Sequence, residues 1–147
     1  MGTASQILKR KGVQVLSIGP RATVHKAAMR MNDHHVGSLV VLEDERLVGI
    51  FTERDILRRV VAEQRDPDKT RVEQAMTTTL TCCYPDTSLD QVRKLMMTRR
   101  IRHLPFIRAD DQNKIVGLIS IGDLNAHRVQ QQQATIQSLE EYLYEPV

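Results

Sequence analysis

The chain has 147 residues, 41% hydrophobic and 27% charged, which suits one globular body and argues against disorder. Aromatic residues are only 3% and Trp is absent, so the core must be aliphatic. A net charge of +3 is mild for a dedicated nucleic-acid binder, and no run of 18 apolar residues marks a membrane span.

In chain order, the first element predicted is a short helix from Ser5 to Lys11, capped by Ser5 and stopped by Gly12. No apolar signal-peptide core precedes it. Gln6 stands where a Met1-Gly2 myristoylation signal needs Ser or Thr, so a cytoplasmic chain is expected. Val13-Gln14-Val15-Leu16-Ser17-Ile18 is rich in β-branched residues and predicts a strand, broken by Gly19-Pro20. Val24, Ala27, Ala28 and Met31 recur at helical spacing. Leu39-Val40-Val41-Leu42 is an apolar strand, Glu43 to Arg46 a polar turn, and Leu47 to Phe51 the next strand. A helix starts after Thr52, with Ile56, Leu57, Val60 and Val61 on its apolar face.

The same order then returns. Arg65-Asp66-Pro67-Asp68 signals a connecting loop. Leu80 to Tyr84 reads as a strand, and Leu89, Val92 and Met96 as a helix face. Leu104 to Ile107 and Ile115 to Ile119 are strands, and a helix begins after Ser120. In the tail, Ile136, Leu139 and Leu143 keep near-helical spacing, for packing on the module or on a partner subunit.

This return is an internal repeat. Displaced by 65 positions, Pro20 falls on Pro85, Val24 on Leu89, Met31 on Met96 and Leu39 on Leu104. After a loop insertion the offset becomes 68, and Leu47-Val48-Gly49-Ile50-Phe51-Thr52 falls on Ile115-Val116-Gly117-Leu118-Ile119-Ser120. The expected division is a helical lead at 1–12, repeats at 13–64 and 65–129, and a helical tail at 130–147. Each repeat reads as a βαββα unit too small to cover its own sheet, so a single pseudo-twofold α/β (α+β) body is expected.

Few residues offer chemistry. No nucleotide-loop, zinc or hydrolase motif is present. His34 and His35 are adjacent and diverge, so no metal site is expected, and neighbouring Cys82 and Cys83 read as reduced thiols. What repeats is Thr52-Glu53-Arg54-Asp55 and Ser120-Ile121-Gly122-Asp123. Each places a hydroxyl and a carboxylate where a strand ends and a helix begins. Such a segment is also a capping box, and Thr87-Ser88-Leu89-Asp90 has the same pattern. The repetition favours a ligand role. Helix N-termini attract anions, and an acceptor-only carboxylate can take both hydroxyls of a ribose.

The βαββα repeat, the paired V-G-x-x-[ST]-x-x-D segments and Arg102-His103-Leu104-Pro105-Phe106 resemble the cystathionine β-synthase (CBS) domain family. Two such domains in tandem form a Bateman module, and the resemblance covers roughly residues 8–129. It implies a cleft between the copies with up to two nucleotide sites. One would join Ser120 and Asp123 to Gly19, Val36 and Gly37. The other would join Thr52 and Asp55 to Tyr84, Ile101 and Arg102, with Arg102 and His103 meeting phosphates. The first copy lacks that basic pair, so the two sites should differ. The implied protein is a non-enzymatic regulatory module for AMP, ADP, ATP or NAD(H), working as a homodimer on a separate protein partner. A nucleic-acid-binding module using the Arg93 to Arg108 cluster and a purely structural dimerisation unit remain the alternatives.

Overall fold

The computed structural model describes residues 2–12, 15–108 and 114–144. The elements run α1 (Ala4–Lys11), β1 (Ser17–Ile18), α2 (Val24–Asp33), β2 (Ser38–Glu43), β3 (Arg46–Thr52) and α3 (Glu53–Asp55). α3 passes directly into π-helical turns at Ile56–Val61. Then follow α4 (Val72–Ala75), α5 (Leu89–Arg99), β4 (His103–Ile107), β5 (Ile115–Ser120) and α6 (Ile121–Tyr144).

The first sheet has the order β1-β2-β3, with β1 parallel and β3 antiparallel to β2. The second has β4 antiparallel to β5. The expected strand from Val13 shortens to Ser17–Ile18, and Val13 and Gln14 lie outside the described residues. Its counterpart at Leu80 to Tyr84 shrinks to one parallel bridge. Cys83 N–H donates to Pro105 O at 3.1 Å, and Ile107 N–H donates to Cys83 O at 2.9 Å. Pro85 follows, and without an N–H it cannot extend the ladder. The pseudo-symmetry reaches down to irregularities. Both hairpins shift register at equivalent points, Val41/Leu42 and Phe106/Ile107.

Helix boundaries follow local chemistry. Thr23 Oγ1 accepts from Lys26 N–H at 3.2 Å and starts α2, and Ser88 Oγ accepts from Gln91 N–H at 3.2 Å and starts α5. In the Thr87 to Asp90 segment the cap is therefore Ser88, because the Thr87 hydroxyl is taken by Tyr84 N–H. The N-cap position of α1 is Thr3 rather than Ser5, and Gly12 at φ 85° ends the helix. α4 was too short to leave a periodic signal. α6 is one helix of 24 residues, so the tail continues the last helix of the repeat instead of forming its own. Nothing between Leu124 and Tyr144 breaks it, since Gly and Pro are absent there.

There are two cores, and each is closed by a segment from the other repeat. Val24, Ala27, Met31, Leu39, Val41, Phe51 and Val60 pack with Val72 and Ala75 of α4. Leu89, Val92, Met96, Leu104, Phe106, Ile119 and Leu124 pack with Ala4, Ile7 and Leu8 of α1. Backbone bonds hold the crossed segments: Ala4 N–H to Thr87 O and Ser5 N–H to Pro85 O on one side, Val72 N–H to Ala22 O and Glu73 N–H to Pro20 O on the other. The repeated glycine of the V-G segment makes this possible. A Cβ on Gly49 would stand 2.6 Å from Met76 Sδ, and one on Gly117 would collide with Leu8 Cδ2. The crossing puts the end of α1, with Lys11, at the cleft.

Candidate functional site

The cleft holds two cavities at equivalent places. One, of about 340 Å³, is bordered by Thr52, Asp55, Thr77, Thr81, Ile101 and five arginines: Arg54, Arg58, Arg59, Arg100 and Arg102. The other, of about 390 Å³, is bordered by Ser120, Asp123, Lys11, His35, Val15, Leu16 and Val36. Gly37 and His103 border both. Both volumes fall in the range of small-molecule sites.

The strand ladders set this geometry. Thr52 pairs with Ser38 and Ser120 with His103, so each hydroxyl stands at the cleft end of its hairpin. Gly37 O accepts from Glu53 N–H at 3.1 Å, and Arg102 O accepts from Ile121 N–H at 2.9 Å. The loop before each central strand is thereby tied to the helix after the motif. The preceding helices end on left-handed residues, His35 at φ 53° and Arg100 at φ 54°, and each borders a cavity. A non-glycine residue in that conformation is uncommon, and its recurrence at equivalent places indicates a built feature.

The two carboxylates differ. Asp55 is 6% exposed and both its oxygens have partners. Oδ2 accepts from Thr52 N–H at 3.0 Å while Thr52 Oγ1 accepts from Asp55 N–H at 3.3 Å, a complete capping box. Oδ1 accepts from the Thr77 hydroxyl at 2.9 Å. Thr77 belongs to the segment that pairs with Ile50, so Asp55 ties the two repeats together. Asp55 thus serves the fold through both oxygens while still bordering the first cavity, and each oxygen keeps a further lone pair.

Asp123 has the same capping box, with Oδ2 accepting from Ser120 N–H at 2.8 Å and Ser120 Oγ accepting from Asp123 N–H at 3.1 Å. No hydroxyl corresponding to Thr77 meets it. Lys11 Nζ instead donates to the same Oδ2 at 2.7 Å and to Leu118 O at 2.7 Å. Oδ1 has no partner among the described residues, and the side chain is 25% exposed. Burial alone would raise the Asp123 pKa, but the bonds from Lys11 and Ser120 outweigh it and hold the carboxyl below its ordinary value. His103 shifts downward through burial and the nearby Lys11 charge, against opposing pulls from Asp123 and Glu53. It therefore favours the neutral form.

Of the residues expected at the cleft, Thr52, Ile101 and Arg102 meet at the first cavity, and Ser120, Asp123 and Val36 at the second. Gly19 and Tyr84 border neither of these two cavities. β1 runs parallel to β2, with Ser17 opposite Val40 and Ile18 opposite Val41. Its entry end therefore faces the cleft and its exit end points away. Val15 and Leu16, and Leu80 and Thr81 in the second repeat, take the places expected for Gly19 and Tyr84. Lys11, Arg54, Arg58 and Arg59 were missed. Arg54 lies within the first motif and the adjacent Arg58 and Arg59 follow about one turn later, a spacing readable in the sequence, whereas Lys11 reaches the cleft only through the crossing of α1.

The basic cluster does not form one stripe. Arg100, Arg102 and His103 turn to the first cavity, while Lys94 and Arg99 lie exposed on α5. Burial pushes both cysteine thiols up, that of Cys83 also through the adjacent Cys82 and against a bond from Thr87. Neither is activated as a nucleophile. Among the described residues no three His, Cys, Asp or Glu side chains gather closely enough to hold a metal, and no helix is long and apolar enough to cross a membrane.

Comparison with known proteins agrees with this architecture. The CBS domain model matches residues 4–62 and 72–129, so each matched copy begins with the helix that crosses to the other core. The chain belongs to the CBS domain family and is a tandem pair of these domains, a Bateman-like module. It is 37% identical over 121 residues to the CBS domain-containing protein YhcV of Bacillus subtilis, covering 82% of this chain and 84% of that protein. The crystal structure of the CBS domain protein NE2398 superposes with a TM-score of 0.81 at 35% identity, over 88% of this chain and 99% of that one. The CBS domain pair of protein MJ0100, solved in complex with 5'-methylthioadenosine and S-adenosyl-L-methionine, shares the fold at a TM-score of 0.73 and 22% identity, over 84% of this chain and 97% of that one. Family membership supports a regulatory, non-catalytic role.

Proposed function

We propose that the cleft between the repeats binds an adenine nucleotide and that the module reports its presence to a separate protein. The observation that carries this reading is Asp123, a carboxylate on a cavity wall with one oxygen unpartnered among the described residues and the Lys11 cation bonded to the other. The ribose bonds to Asp123 Oδ1 and the Ser120 hydroxyl. The base lies against Val15, Leu16 and Val36, which supply an apolar slot. The phosphates pass His103, common to both cavities, toward Arg102, Arg100 and Arg58. That concentration of arginine favours ADP, ATP or NAD(H) over AMP, since Arg recognises phosphate through paired donors.

The adenosine-bearing ligands of the MJ0100 domain pair are consistent with a nucleoside in such a cleft. Self-association belongs to the same reading: Leu57 and Val61, on the helix after the first motif, are exposed and offer an apolar face to a second copy.

The test is a thermal-shift panel of AMP, ADP, ATP, NADH, S-adenosylmethionine and GTP, followed by calorimetry. A true ligand at 100 times its dissociation constant adds about 2.7 kcal/mol to stability. Failure of every nucleotide to raise the melting temperature defeats the reading and leaves a structural dimerisation unit. Binding to nucleic acid that falls steeply with salt, with no effect of free nucleotide, favours the other alternative.

A further inference from the structure

The second half of α6 is a stalk. Every residue from Arg128 to Leu143 is exposed. At 1.5 Å per residue it stands out by roughly 20 Å. Its composition is not that of a solvated helix. Val129, Ile136, Leu139 and Leu143 are between 50% and 68% exposed, and their spacing of seven, three and four residues puts them in one stripe. Gln132 fills the remaining position of that stripe. This is the a/d pattern of a helix that packs along another helix. Outside the stripe the stalk carries Gln130, Gln131, Gln133, Gln137, Ser138, Glu140 and Glu141, with Ala134 and the exposed Tyr142 as its apolar exceptions.

We propose that this stalk pairs antiparallel with the same stalk of a second copy of the chain. The charge distribution selects the occupant and its direction. The outer end carries Glu140 and Glu141, while the base carries Arg128 and the exposed Lys9 and Arg10 of α1. Arg10 is hydrogen-bonded to Gln130, so the α1 cations are fixed beside the base. In an antiparallel pair each acidic end lies against the partner's basic base. A parallel pair would set four glutamates side by side at one end. A second copy thus supplies both the matching apolar stripe and the opposite charge, and a twofold contact is self-complementary.

The stalk contact is separate from the Leu57–Val61 face, and the test separates them. The background is Leu57→Glu with Val61→Glu, two exposed positions whose change removes that face without touching the cleft or the stalk. Mass is measured by light scattering on gel-filtered protein, and dissociation by sedimentation. The background protein is expected to keep the mass of two chains. Adding Ile136→Glu and Leu139→Glu brings it to one chain, with the body's melting temperature unchanged because both side chains are exposed. Glu140→Gln with Glu141→Gln in the background weakens the pair several-fold, through loss of the exposed ion pairs. A background protein that is already a single chain overturns the proposal and leaves the stripe to a different protein. Two chains persisting after Ile136→Glu and Leu139→Glu also overturn it. Tighter association of the glutamine variant overturns the antiparallel arrangement, since parallel stalks gain from losing like charges. A nucleotide-binding failure would leave each of these outcomes untouched.

Discussion

Replacing Asp55 and Asp123 by alanine, one at a time, should split stability from binding. Asp55→Ala removes a carboxylate with two hydrogen bonds in a 6% exposed position. It leaves the Thr52 N–H and the Thr77 hydroxyl without partners. Hydrogen bonds to charged groups contribute about 1.5–3 kcal/mol each; the Thr52 cap itself remains, and only the return half of the capping box is lost. Because the two losses overlap, a net destabilisation of about 2–4 kcal/mol is expected. At roughly 2–4 °C per kcal/mol for a chain of this size, the melting temperature falls by about 5–15 °C. Asp123→Ala removes the equivalent return bond to Ser120 N–H and an exposed ion pair with Lys11 whose value is about 0–1 kcal/mol, so it costs about 1–2 kcal/mol. Its larger effect is on ligand: loss of a ribose–carboxylate bond weakens nucleotide binding about 10- to 100-fold. Calorimetric titration and thermal melting of both variants, without and with nucleotide, measure all four quantities. The reasoning is refuted if Asp55→Ala melts like the parent, or if Asp123→Ala binds nucleotide as tightly as the parent.

Acid should act in two stages. Burial and Arg10 hold the His127 pKa down, and its Nδ1 is buried without a partner among the described residues, while His103 is also held down. The unfolded chain therefore takes up protons near 6.5 that the folded chain refuses, so stability declines as pH drops below about 6.5. Denaturant titrations should show that slope, and His127→Leu should flatten it. Asp123 has a lowered pKa, so its contribution is complete above its ordinary value and disappears as pH falls through the folded one. Lys11→Met should raise the Asp123 pKa, read from carboxyl carbon shifts by NMR, while changing stability by less than about 1 kcal/mol. Gly117→Val forces a branched side chain against Leu8 and should undock α1, seen as faster amide exchange in residues 4–11 and a cost of about 1–3 kcal/mol.

The repeat was legible because each copy keeps the apolar order of its strands and helices, and because Gly49 and Gly117 recur at matched positions. The paired hydroxyl and aspartate were legible for the same reason. Their difference was not: Asp55 meets Thr77 and Asp123 meets Lys11, and both neighbours arrive from segments whose docking no periodicity records. That Gly19 and Tyr84 border neither cavity was not legible, because sequence shows where a strand ends but not which end a parallel pairing turns toward the cleft. α4, at four residues, is too short for any helical period, and it forms because the Thr23 and Arg71 backbones pair and bury Val72. The continuity of α6 through Gln130 to Gln133 was readable in hindsight from the absence of Gly and Pro.

The crossing of α1 and α4 governs how the cleft can communicate. A leading helix that packed on its own repeat would leave the two cores joined mainly by surface contacts. Here each core is completed by the other's lead, so neither repeat can shift without disturbing both. α1 gains a second consequence from its position. Its last turn ends at Lys11 on Asp123, one residue after Arg10 at the base of the α6 stalk. The carboxylate best suited to a ligand and the surface best suited to a second copy are thus linked through adjacent side chains on one short helix. A ligand that changes the hold of Asp123 on Lys11 acts directly on the element that closes the second core and flanks the stalk. If the cleft binds the proposed nucleotide and the stalks pair as proposed, this helix gives occupancy a physical route to assembly that requires no rearrangement of the sheets.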